Sequence, residues 1–193
     1  MRKLSIVLAV TAMWLFFPND SHGQDTNVIV LNTRLEIFEA QIDTVIVKGS
    51  APMGTVAART GTVAVWSKES QDISTGQKEY GIAVGIRAEN GEEDVTILDY
   101  DEVDSFLAGI DFIIKVDIQV TSLPSFHAGF TSKGALKISA YTSNKNIGTI
   151  QAALQSNHAF KSRVLLEPDQ LAKFKIVIQE AKARLDFLQQ KKS

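Results

Sequence analysis

The sequence contains no cysteine among its 193 residues. This absence excludes disulfides, thiolate metal sites, a cysteine nucleophile and a lipid-modified N-terminal cysteine. Histidine is scarce as well, and neither His127 nor His158 has a second histidine at metal-ligand spacing. No nucleophile elbow, zinc-binding helix or phosphate-binding glycine loop occurs. The sequence therefore predicts no catalytic, cofactor-binding or metal-binding residues, although a hydrolase site assembled in space from scattered residues stays open as an alternative.

An excess of basic residues is also missing. The chain has 20 Lys and Arg against 22 Asp and Glu, for a net charge of −2. Removal of residues 1–23 would leave 18 basic and 21 acidic side chains, or −3. This balance argues against nucleic acid or an anionic membrane as the partner. The hydrophobic content of 45% is too high for a disordered chain and suffices for a core of domain size.

The long apolar run of the sequence lies at its N-terminus. A basic pair precedes an apolar stretch of 14 residues, Leu4 to Phe17, and a proline breaks it. Ser21 and Gly23 then place small residues at −3 and −1 before Gln24, which is the layout of a secretory signal peptide. The run is shorter than the ~20 apolar residues of a membrane anchor. We therefore predict a signal peptide over residues 1–23, a periplasmic or secreted protein, and no membrane span after cleavage.

Two segments, Val95–Ile114 and Arg163–Ile178, repeat one pattern 68 residues apart. Each reads as a strand that runs directly into an amphipathic helix. Phe106 and Phe174 occupy equivalent positions and are predicted to be buried anchors. The matching positions are Leu98, Asp101, Val103, Phe106 and Ile110 in the first segment, and Leu166, Asp169, Leu171, Phe174 and Ile178 in the second.

The two helices share their first-turn chemistry. Asp99 precedes Glu102 by three residues, as Glu167 precedes Gln170, which is the spacing of a capping box. The acidic run also suggests a calcium site, because hard cations prefer carboxylate oxygens. The spacing does not fit an EF-hand, and first-turn carboxylates are favoured by the helix dipole. We therefore interpret Asp99, Asp101 and Glu102 as capping and first-turn residues.

The strand pattern is clearest at Tyr80–Arg87, where large and small residues alternate. Its large side chains are predicted to face a core, and Gly81, Ala83 and Gly85 leave room for another element or a ligand on the opposite face. We favour internal packing. Asn90-Gly91 predicts the following hairpin turn.

Taken together, the elements predict an α+β fold of two tandem repeats, each an antiparallel four-stranded sheet plus a helix, packed as one globular unit. The divisions are an N-terminal strand segment at 24–60, a first repeat at 61–120 and a second repeat at 126–190. Pro52 is expected to end the strand of the first segment. The last helix is expected to run from Pro168 to about Gln189. The first helix is expected to bury one stripe, formed by Val103, Phe106, Leu107, Ile110 and Ile114.

Two resemblances accompany these patterns. The run D-Y-D-E-V-D-S-F at Asp99–Phe106, with Thr75–Val84 and Leu171–Phe174, resembles a family of uncharacterised exported bacterial proteins. This likeness extends over most of the chain after the signal peptide and implies no activity. The tandem order of four strands and a helix is similar to that of the Whirly and Pur-type proteins, which bind single-stranded nucleic acid.

The second resemblance implies aromatic and basic residues on a sheet face as a ligand site. The aromatic and basic residues on the predicted strands include Lys68 and Phe130. The candidate ligand face consists of Trp66, Tyr80, Arg87, Phe126, Lys137 and Tyr141.

Our functional prediction is an exported, non-catalytic binding or structural module whose partner is an unidentified protein or envelope component. Single-stranded nucleic-acid binding by the sheet faces is the alternative, and the acidic net charge argues against it. The oligomeric state stays open.

Overall fold

Two four-stranded antiparallel sheets and the helices packed on them make up the described part of the chain. A computed structural model describes residues 31–143, 146–156 and 162–191. The elements in this part are α1 (Arg34–Glu39), β1 (Ile46–Ala58), β2 (Gly61–Asp72), β3 (Lys78–Ala88), β4 (Glu93–Asp99), α2 (Val103–Lys115), β5 (His127–Thr131), β6 (Leu136–Ser143), β7 (Asn146–Ser156), β8 (Arg163–Leu166) and α3 (Pro168–Gln190).

The strands of each sheet follow the chain order. The first sheet is β1-β2-β3-β4 and the second is β5-β6-β7-β8, and all neighbouring strands pair antiparallel. A helix follows the last strand of each sheet. The predicted α+β class, with four strands and a helix in each half, is therefore confirmed.

The helix of each half packs on the sheet of the other half. Helix α3 lies mainly across β1, β2 and β3, whereas α2 lies across β5 and β6. The Ser67 hydroxyl of β2 donates to the Ala181 carbonyl of α3 at 3.2 Å. On the other side, the Phe106 ring of α2 meets Phe130 of β5 edge-on, with centroids 5.9 Å apart. This exchange makes the two halves one folding unit with a shared core.

The centre of that core is the pair of helix anchors. Phe106 and Phe174 are fully buried, and their rings meet edge to face with centroids 6.2 Å apart. The buried stripe of α3 consists of Leu171, Phe174, Ile178, Ala181 and Leu185. On α2 one residue of the predicted stripe is wrong: Ile113 is buried and Ile114 is exposed. Ile114 lies in the last turn of α2, which ends at Lys115.

The capping interpretation is confirmed in both halves. Glu102 Oε1 accepts from the Asp99 amide at 3.1 Å, and Gln170 Oε1 accepts from the Glu167 amide at 2.9 Å. Pro168 occupies the first turn of α3, where a missing N–H leaves no hydrogen bond unmade.

The N-terminal segment differs from its prediction. Residues 34–39 form a helix rather than a strand, because Thr33 and Glu36 make a capping box and Leu35 and Phe38 are buried. Pro52 does not end the strand either. It lies inside β1 next to a bulge, which is possible because β1 is an edge strand and needs no N–H on its outer side.

These findings move the first boundary of the domain organisation. The first sheet begins at Ile46 rather than at residue 61. Strand β2 ends at Asp72. The predicted signal peptide and residues 24–30 lie outside the described residues, as do residues 144–145 and His158.

Helix α1 and the Trp66 side chain of β2 cover the small-residue face of β3. A methyl group at Gly81 would lie 2.9 Å from Leu35 Cδ2, and one at Gly85 would lie 3.0 Å from the Trp66 ring. Internal packing, which we favoured for this face, is therefore what occupies it.

Candidate ligand-binding face

The six residues of the predicted face lie in three different places. Trp66 of β2 pairs with Ala83 of β3, and Arg87 of β3 pairs with Thr62 of β2. Because side chains alternate between the two faces along each strand, Trp66 and Arg87 both lie on the outer face of the first sheet. Tyr80 is on the inner face of the same sheet. The second sheet carries the remaining three, Phe126, Lys137 and Tyr141, around one groove.

The outer face of the first sheet offers little free positive charge. Lys68 Nζ lies 2.8 Å from Glu39 Oε1, and Arg87 lies 2.6 Å from Glu93 Oε2. Burial raises the pKa of Glu39, but hydrogen bonds from Lys68 and Ser70 outweigh it and keep the pKa below its ordinary value. Both cations are therefore already partnered, and Trp66 is half-buried beside Gly85.

Tyr80 is unsuited to stacking on a ligand. Its side chain is only 8% exposed and belongs to the core. Burial, together with the nearby Glu69 carboxylate, raises the pKa of Tyr80 to about 12. The alternation of β3 turns residue 80 inward with Ile82 and Val84, as the strand pattern predicted, so Tyr80 does not share a face with the other candidate residues.

The outer face of the second sheet forms an open groove of about 500 Å³, which we call the β6 groove. Strand pairing places its residues together: His127 lies opposite Tyr141, and Lys137 lies opposite Gln155, which in turn pairs with Arg163. The lining residues are Ser125, Phe126, His127, Lys137, Ser139, Tyr141, Thr142, Gln155 and Arg163.

Tyr141 is the centre of the aromatic and basic contacts in the β6 groove. The Arg163 guanidinium lies 5.1 Å from the Tyr141 ring centroid, within the range of a cation–π interaction. The centroid of the His127 ring, on the neighbouring strand β5, lies 6.4 Å from the centroid of the Tyr141 ring. Lys137 and Arg163 form no ion pair with any residue in the described part of the chain. Within the described ranges, the groove therefore presents two cations that no carboxylate neutralises.

The charge of this region follows from the sequence of the second sheet. Residues 118–166 contain five Lys and Arg and no Asp or Glu, whereas residues 31–117 contain seven basic and 16 acidic residues. The net charge of −2 averages these two opposite segments and hides the basic one. A count by segment would have indicated Arg163 and the second sheet, which the whole-chain charge did not.

The groove also holds the one histidine that the structure describes. His127 lines it together with the hydroxyl groups of Ser139 and Tyr141, but no carboxylate is among its described lining residues. No group of three His, Asp or Glu in the described ranges is arranged to hold a metal ion.

The acidic cluster at the start of α2 has a structural role. Asp99 accepts from the amides of Arg34 and Leu35 at 2.8 and 3.1 Å, and Glu102 Oε2 accepts from the Lys133 amide at 3.0 Å. These bonds tie α1 and the β5–β6 turn to the start of α2. The sequence indicated the caps but not these two long-range contacts.

Comparison of the chain with family models, with curated proteins and with solved structures found no match. None of the helices in the described ranges is both long and apolar enough to cross a membrane.

Proposed function

We propose that the protein is a non-catalytic binding module whose β6 groove binds an anionic polymer of the cell envelope. The observation that carries this proposal is the pair Lys137 and Arg163, held beside Tyr141 on a face without a described carboxylate. A free cation on a rigid strand attracts an anion without first breaking an ion pair. The groove is open on the outer face of the second sheet.

Nucleic acid is the weaker candidate for this groove. Binding of single strands uses several aromatic platforms on which successive bases stack. Tyr141 at the centre of the β6 groove is half-buried and already covered by the Arg163 guanidinium, while Phe126 and His127 supply the other rings of the lining. The cations of the first sheet lie on another face and are paired. An anionic polysaccharide needs only cations and polar groups, and the predicted signal peptide makes such a polymer accessible.

Binding should be measured by fluorescence anisotropy with labelled polygalacturonate, neutral dextran and oligothymidylate. We expect the protein to bind polygalacturonate, to ignore dextran, and to bind more weakly as salt is raised. Lys137→Gln and Arg163→Gln should each raise the dissociation constant about tenfold, which corresponds to ~1.4 kcal/mol.

The matched control is Arg87→Gln, because Arg87 is a strand cation on the other sheet and is paired with Glu93. It should leave binding unchanged. Tighter binding of oligothymidylate than of polygalacturonate would favour the nucleic-acid alternative. Equal loss in all three variants, or no binding to either polyanion, would refute the proposed site.

Export is tested separately. The intact mass of the protein recovered from the envelope fraction or the medium should correspond to a chain that begins at Gln24. Recovery of all 193 residues from the cytoplasm would contradict the prediction.

A further inference from the structure

A second surface lies at the free edge of the first sheet, where β1 runs beside α3. Among the described strands β1 pairs only with β2, so no described strand lies along its outer edge. The space between this edge and α3 is a groove of about 500 Å³. Val177 of α3 packs against Gly54 of β1, since a methyl group at Gly54 would lie 3.2 Å from Val177 Cγ1. An unpaired edge beside an exposed helix is a surface that another chain can join.

The exposed face of α3 carries a symmetric order of charges. Lys173 lies three residues before Ile176, and Glu180 lies three residues after Val177. Asp169 lies seven residues before Ile176, and Arg184 lies seven residues after Val177. The two members of each pair therefore lie at equal distances from the centre and carry opposite charges. These charged residues are exposed, and Ile176 between them is 52% exposed.

Such an order is complementary to itself. When two copies of α3 lie antiparallel about a twofold axis at Ile176 and Val177, Lys173 faces Glu180 of the second copy, and Asp169 faces Arg184. The apolar pair then meets its own copy at the centre. A twofold interface uses the same patch on both subunits, so each favourable pair occurs twice.

We propose that the protein forms a twofold dimer across this surface, in which the two α3 helices lie antiparallel and the two β1 edges pair. The partner is a second copy of this chain because the charge order of α3 matches its own reverse. The contact of Val177 with Gly54 places the strand edge beside the same axis. Pro52 and its bulge restrict strand pairing to the residues that follow them.

The dimer is independent of the proposed ligand, because the residues that line the β6 groove are not part of this surface. It is tested by sedimentation velocity over about a hundredfold range of protein concentration. We expect the unaltered protein to sediment as a dimer. Glu180→Lys alone and Lys173→Glu alone each place like charges opposite each other, so each should raise the dissociation constant at least tenfold.

The decisive measurement mixes the two single variants. The Glu180→Lys chain carries lysine at both positions 173 and 180, and the Lys173→Glu chain carries glutamate at both. In a dimer of one chain of each, every lysine faces a glutamate, so both ion pairs are regained. The mixture should therefore dimerise where neither variant does alone. The double variant, which carries both substitutions in one chain, should also regain the dimer.

The control for charge change is Glu89→Lys in the β3–β4 turn, which should remain a dimer. Thermal unfolding of each variant separates loss of the interface from loss of the fold, because both altered side chains are exposed. A protein that is monomeric at all concentrations would overturn the proposal, and so would single variants that stay dimeric. A mixture that stays monomeric would overturn the antiparallel register.

Discussion

Replacing Phe106 or Phe174 by alanine should lower the free energy of unfolding by about 3–5 kcal/mol in each case. Both rings are fully buried, and each side chain belongs to a helix that packs on the sheet of the other half of the chain. The loss combines the transfer of the ring to water with the cavity that remains. Urea unfolding followed by circular dichroism measures it.

The control is Phe112→Ala on α2, the helix that carries Phe106. Phe112 is 58% exposed, so its removal should change the free energy of unfolding by less than about 0.5 kcal/mol. The double variant Phe106→Ala/Phe174→Ala should be less destabilised than the sum of the single losses by about 0.5–1.5 kcal/mol, because the edge-to-face contact is lost only once. Additive losses would contradict a shared core in which these rings stabilise each other.

The helices and inner strands could be predicted because their residues are buried on one face. Helix α3 was expected from Pro168 to about Gln189 and ends at Gln190, and the strand expected to lead into it from Arg163 is β8. The period of three and four residues shows which side of a helix is apolar. It does not show which sheet that side meets, so the exchange of α2 and α3 between the halves could not be predicted.

The N-terminal segment was harder because two periods overlap in it. Leu35 and Phe38 fit a helix, and Leu35 and Ile37 also fit a strand. The contact that decides for the helix is distant in sequence, since Asp99 accepts the Arg34 and Leu35 amides across 65 and 64 residues. Pro52 was misinterpreted for a related reason, because a proline is compatible with an edge strand and the sequence does not reveal which strand lies at the edge.

The β6 groove could be predicted only in part. Lys137 and Tyr141 lie four residues apart on one strand, so the period of two places both side chains on the same face. Arg163 joins them through the register of β6 with β7 and of β7 with β8, which depends on pairing between distant segments. The absence of acidic residues from 118–166 was visible in the sequence, and only the net charge of the whole chain concealed it.

Replacing Asp99 by alanine should lower the free energy of unfolding by about 3 kcal/mol, since hydrogen bonds to a charged group contribute ~1.5–3 kcal/mol each. Its side chain is 1% exposed and accepts the Arg34 and Leu35 amides at 2.8 and 3.1 Å. The substitution leaves both donors of α1 without an acceptor. Asp99→Asn keeps one acceptor oxygen and should cost about half as much.

The matched control for Asp99 is Glu167→Ala at the equivalent cap of α3, where the carboxylate is exposed and forms a surface ion pair with Arg59, which lies outside the described helices. It should cost only ~0.5–1 kcal/mol. Hydrogen exchange locates the effect, because Asp99→Ala should deprotect the amide of Ala40, which bonds within α1, more than the amides of β3. If the Asp99 and Glu167 variants lose the same stability, or if exchange in α1 is unchanged, Asp99 caps only its own helix and does not hold α1 on the first sheet.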